Sequence, residues 1–109
     1  MVLAAELVKA AKADDNNAAA EIERQWYANA DEIATFFSQI NPFWPRAEML
    51  EMWNHHLDQV KAQAVARLNR DYASDIAIYD QGEQLLLEMA DDLTVGIVRQ
   101  FPSCFRTVR

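Results

Sequence analysis

Residues 49–83, MLEMWNHHLDQVKAQAVARLNRDYASDIAIYDQGE, decide how this chain is read. The stretch holds both histidines, His55 and His56, and closes on Glu83. Its apolar residues recur three and four apart, the spacing of one helix face. Met49, Trp53, His56, Val60, Ala64 and Arg67 form one seam, flanked by Leu50, Leu57 and Leu68. Tyr72, Ile76, Tyr79 and Glu83 begin a second. Asn69-Arg70-Asp71 between them offers a stop and a start. Asn tolerates the left-handed position that ends a helix, and Asp caps the next one. Nothing in these three residues forbids a single continuous helix, so both forms stay open at this point.

Outward from this stretch the same period continues. The second seam runs on through Leu86, Ala90, Leu93 and Ile97, which predicts a helix over residues 71–99, with Gly82 as a weak point. Upstream, Asn41-Pro42-Phe43-Trp44-Pro45 separates two helices, and Pro45 suits the first position of a helix over 45–68. Ile22, Trp26, Asn29, Ile33, Phe36 and Ile40 give the seam of a long helix ending at residue 40. Asp14-Asp15-Asn16-Asn17 is a turn with N-cap candidates, and a short helix over 2–13 precedes it. Residues 100–109 form a tail, whose Phe101 and Phe105 are expected to fold back onto the bundle end. The predicted fold is all-α: one domain over residues 1–109, an antiparallel bundle of three long helices plus a short N-terminal one.

Composition agrees and removes several functions. Two glycines and eighteen alanines in 109 residues suit helices rather than strands. A net charge of −7 disfavours a nucleic-acid backbone and an anionic membrane surface, which both want clustered Lys and Arg. Cys104 is the single cysteine, so no internal disulfide forms. The opening residues lack a basic leader, and no apolar run reaches the length of a membrane span. These features predict a soluble, cytoplasmic protein.

Short turns make consecutive helices antiparallel, so residues equidistant from a turn lie at one height. Asn29 and His56 are nearly equidistant from Phe43, and His56 and Glu83 from Arg70. One polar layer of Asn29, His56 and Glu83 is therefore expected, one residue from each long helix, all facing inward. The matching height on the first helix falls at or just before Met1.

The runs Ala4 to Ala13 and Arg24 to Ile33 carry a resemblance that continues through Asn41-Pro42-Phe43-Trp44-Pro45, His56-Leu57, Tyr79-Asp80 and Met89-Ala90-Asp91. Gly96-Ile97 and Gln100-Phe101-Pro102 complete it. The pattern resembles a family of uncharacterised bacterial all-helical proteins and covers nearly the whole chain. Longer members carry two further helices before the position of Met1, with one histidine just before the position of Val2 and another upstream. The resemblance implies that this chain corresponds to a C-terminal portion, with a histidine missing from the polar layer. Some relatives carry kinase or transferase names, but this sequence has no Gly-rich phosphate loop.

The chemistry is sparse. His56 and Glu83 read first as a buried polar layer that fixes helix register. The alternative is a ferritin-like or haemerythrin-like metal or cofactor site with His56 and Glu83 as ligands to iron, zinc or manganese. Asn29, Tyr79 and Asp80 would then support them. Two ligands are too few for zinc, and the Glu-x-x-His pairs of di-iron bundles are absent, so no cofactor is expected in this form. His55 points about 100° away from His56 and reads as surface. Trp26, Trp53, Phe36 and Phe37 read as core before ligand pocket. No nucleophile–base set can be assigned. The favoured function is a non-enzymatic helical module. The short first helix leaves Ile33, Phe36, Phe37, Ile40, Phe43, Trp44, Met49, Leu50 and Trp53 unshielded, so the chain is expected to form a homodimer.

Overall fold

The computed structural model describes residues 1–106. These residues form four α-helices: α1 (Val2–Lys12), α2 (Asn16–Ile40), α3 (Arg46–Leu68) and α4 (Tyr72–Gln100). A 3-10 turn over Pro102–Phe105 closes the described chain, and there is no strand among the described residues. The fold is all-α, as expected. The last part of the predicted tail, residues 107–109, lies outside the described residues.

Two of the three corners are built alike. α1 ends with Asp14 in the left-handed region at φ 54, and α3 ends with Arg70 there at φ 60. In each corner two backbone N–H groups reach back to the last helical turn: Asp14 to Ala11 and Asp15 to Ala10, Arg70 to Arg67 and Asp71 to Ala66. This double bond satisfies carbonyls that a helix end otherwise leaves bare. Ala10 and Ala66, which accept the bonds that span five residues, are both buried. An Asp then caps the next helix, Asp15 accepting from Ala18 N and Asp71 from Ser74 N. The break between α3 and α4 is thus real, and Arg70 rather than Asn69 takes the left-handed conformation.

The third corner is a plug. Asn41 is fully buried, and its Oδ1 accepts from Phe43 N at 2.8 Å. That bond folds the Asn-Pro-Phe-Trp turn so that Trp44 drops inward, where its indole N–H donates to Asp92 O on α4. Phe37 meets Trp44 edge-on with ring centres 5.4 Å apart. Trp44, Ala34 and Met49 form one buried cluster, with Phe37, Leu50, Met52 and Leu93 around it. Trp26, Ala30 and Leu57 form a second, covered by Leu3, Ala4 and Leu7 of α1.

Cross-helix pairs fix the antiparallel register. Tyr27 bonds Asp58, Lys61 pairs with Glu23, and Arg46 reaches Thr35 and Asp31 between α2 and α3. Arg67 pairs with Asp75 at 3.2 Å between α3 and α4. The exposed pair of Arg46 with Asp31 contributes at most about 1 kcal/mol. Apolar packing therefore holds the helices, and α3 is the one packed along its length on two long neighbours, α2 on one side and α4 on the other. At the Asn41 end, Gln100 ties α4 to α2 by donating to Ile40 O.

The result is an open slab of 60 × 29 × 19 Å rather than a closed bundle. Its radius of gyration is 17.2 Å, against about 13 Å for a compact domain of this length. Two expected faces differ accordingly. α2 turns Trp26, Ala30 and Ala34 inward, so Phe36 and Ile40 are exposed. α4 turns Asp75, Ile78, Gly82, Leu85, Met89 and Gly96 toward α3, one residue round from the predicted seam. The reason lies at Gly96: a Cβ there would stand 2.0 Å from Trp44 Nε1, so only glycine lets the indole seat. Phe101 and Phe105 do not fold back onto the bundle; both are exposed.

Candidate functional site

α3 and α4 form the walls of a groove of about 190 Å³ at mid-height. His56, Gln59, Val60 and Gln63 line it from α3, and Ile78, Tyr79, Gly82, Glu83 and Leu86 from α4. His56 and Glu83 line the same groove from the two facing helices. Gly82 lines the groove, and Gln59 Oε1 lies 3.6 Å from where a Cβ on it would sit, an ordinary contact distance.

No Lys or Arg is among the residues that line the groove. His56 is half-buried, and its ring meets the Trp53 indole edge-on at 5.9 Å. Loss of water lowers the His56 pKa below its ordinary value, favouring the neutral imidazole. Gln59 Oε1 is buried and has no hydrogen-bond partner. Glu83 is exposed at the rim. Neither His56 nor Glu83 makes a side-chain hydrogen bond among the described residues.

The structure thus brings His56, Tyr79 and Glu83 together and separates Asn29 from them. Asn29 is exposed and does not line the groove, because Ala30 takes the inward position on α2. The expected three-helix polar layer is therefore corrected to a two-helix groove. Asp80 is exposed next to Tyr79 and is not among the lining residues. His55 is exposed, as its azimuth predicts. Gln59 was missed, although it lies three residues after His56 and so shares its face. Among the described residues no group of three or more His, Cys, Asp or Glu side chains has the arrangement of a metal cage. No helix of the described chain is long and apolar enough to cross a membrane.

Along the same side of α4 runs an exposed apolar stripe, interrupted at its middle by Glu83. Tyr72, Ile76, Tyr79, Leu86 and Ile97 are 51, 63, 57, 48 and 40% exposed. With the exposed Glu83 and Ala90, and with Leu93, which is half-buried against the Trp44 cluster, they repeat at intervals of four and three, the pattern of a coiled-coil seam. Leu87, 56% exposed, widens it on one side. No family model, curated protein or solved structure matches this chain.

Proposed function

We propose that this chain is a non-enzymatic helical module that works as a homodimer, with the outward stripe of α4 as its interface. The observation that carries this reading is the stripe itself, a run of large apolar side chains in water over seven helical turns. Soluble monomers rarely leave a patch of that extent uncovered. The total exposed area supports it. The chain exposes 7856 Å², whereas a compact monomer of 12.5 kDa exposes about 6,200 Å². The excess of about 1,700 Å² per chain falls in the range that obligate homodimers bury.

The spacing favours a second copy over an unrelated partner. The intervals of the stripe, four-three-four-three-four-three-four, read the same in both directions. Two α4 helices in antiparallel, two-fold pairing therefore align all eight positions without a slip. Tyr72 faces the partner's Ile97, Ile76 the partner's Leu93, and Tyr79 the partner's Ala90. Tyr79 then meets a small alanine, which leaves room for its ring. The net charge of −7 and the single Cys104 fit a cytoplasmic setting.

Disulfide trapping tests this pairing. In a Cys104→Ser background, the double variant Tyr79→Cys/Ala90→Cys should oxidise rapidly to a covalent dimer. Tyr79→Cys alone should not, since the two copies of residue 79 lie about 16 Å apart along the seam. Absence of a covalent dimer in the double variant rejects this interface.

A further inference from the structure

We propose that two copies of the chain together hold one divalent metal cation of the zinc type, through His56 and Glu83 of each. The inference rests on the antiparallel pairing described above. In that pairing the two-fold axis passes between Glu83 and Leu86, the middle of the eight-residue stripe. Glu83 and the partner's Glu83 are then offset by three residues, about 4.5 Å along the seam. Packed helices stand about 8–10 Å apart, well within the combined reach of two glutamates.

Two carboxylates drawn into an apolar seam are costly unless something positive meets them. The described neighbourhood supplies no such group. His56, Gln59, Gln63 and Tyr79 line the groove beside Glu83, with no Lys or Arg among them. What these side chains offer is lone pairs: an imidazole nitrogen, a carboxylate and the orphaned Oε1 of Gln59. No cationic side chain lines the groove to meet the carboxylates, so a bound cation would fill that role. One chain brings only His56 and Glu83, short of a cage. Two chains bring two imidazoles and two carboxylates, the four nitrogen and oxygen ligands at which zinc is satisfied. Imidazole with carboxylate also suits manganese and ferrous iron, in a looser contest that zinc leads by the usual affinity order. Gln59 Oε1 would accept from the free N–H of His56 or from a metal-bound water, the support that ligating histidines commonly have.

Zinc titration by calorimetry, run beside light scattering on tag-free protein, tests the site and keeps it separate from the dimer. The expected result is saturation at one zinc per two chains, with a dimer both before and after addition. His56→Ala and Glu83→Gln should each weaken binding by more than the roughly 10–100-fold that outer-shell changes cost. Both variants should stay dimeric, and His55→Ala should bind as the parent does. Glu83→Leu, which completes the apolar stripe, should lose zinc and dissociate less readily on dilution. A dimer that takes up no zinc at micromolar concentration, or takes it up unchanged in His56→Ala and Glu83→Gln, overturns the metal site and leaves self-association standing. A monomer with and without zinc overturns both.

Discussion

α4 carries two apolar stripes about 100° apart, and they differ in kind. The inner one, which meets α3, is built from Ile78, Leu85 and Met89 with Gly82 and Gly96 between them. The outer one is built from Tyr72, Ile76, Tyr79, Leu86 and Ile97, and it is open to water. The larger side chains are on the outside. Within the chain, close approach decides: Trp44 needs Gly96 so that its indole can lie against the helix. Outside, bulk and a regular repeat decide, which is what a seam between two helices uses. An apolar pattern alone therefore reports that a face is buried by something, not by what.

The sharpest way to break this contrast is to overfill the inner stripe. Gly96→Ala puts a Cβ into the Trp44 ring and should cost about 3 kcal/mol or more, at the upper end for overpacked cores. Urea unfolding reads this directly. On the plug itself, Asn41→Ala removes the side chain that holds Phe43 N in a fully buried turn and should cost about 1–3 kcal/mol. The other inner glycine should behave oppositely. A Cβ at Gly82 meets Gln59 Oε1 at 3.6 Å, ordinary contact distance, and no positive φ requires glycine there. Gly82→Ala should stabilise by up to about 1 kcal/mol through helix propensity. If both glycine variants destabilise alike, the tight seating of Trp44 is not what sets the azimuth of α4.

The smallest expected effect lies at the corner that leads into α4. The Asp71 carboxyl accepts from Ser74 N and Oγ, and these bonds hold its pKa below the usual carboxylate value. Its folded pKa is thus depressed, so its contribution is present above about pH 4, the unfolded value, and is lost as pH falls through the folded one. Thermal melts of the parent and Asp71→Ala should differ at pH 7 and converge at strongly acidic pH. A difference that persists unchanged there would mean that the cap is not electrostatic.

Heights were legible in the sequence, and azimuths were not. That His56 and Glu83 line one groove is within what the turn positions allow, because antiparallel helices of fixed rise leave little freedom along the axis. Asn29 stood at the right height too, yet the helix presents Ala30 instead. One residue is about 100° of rotation, and the choice between neighbouring stripes is made by packing detail that the apolar pattern does not carry. On α2 the inward residues are the alanines at 30 and 34, whose small size brings the backbones together, while Phe36 and Ile40 look better in a hydrophobicity pattern and stay outside. The break at Asn69 was half legible. Asp71 announced the cap, but the left-handed residue is Arg70, which follows from corner geometry rather than from residue preference. Gln59 was legible by its spacing from His56 and was overlooked because an amide is a weak signal beside an imidazole and a carboxylate.

The central claim is that the outer stripe of α4 faces another copy of itself. Sedimentation equilibrium of the unmodified chain at micromolar concentration tests it most directly, set beside Leu86→Asp, which charges the middle of the stripe and touches none of the inner one. The expected result is twice the chain mass of 12.5 kDa for the parent and a single chain mass for Leu86→Asp, both remaining helical. A parent that sediments as one 12.5 kDa chain and unfolds cooperatively contradicts the account.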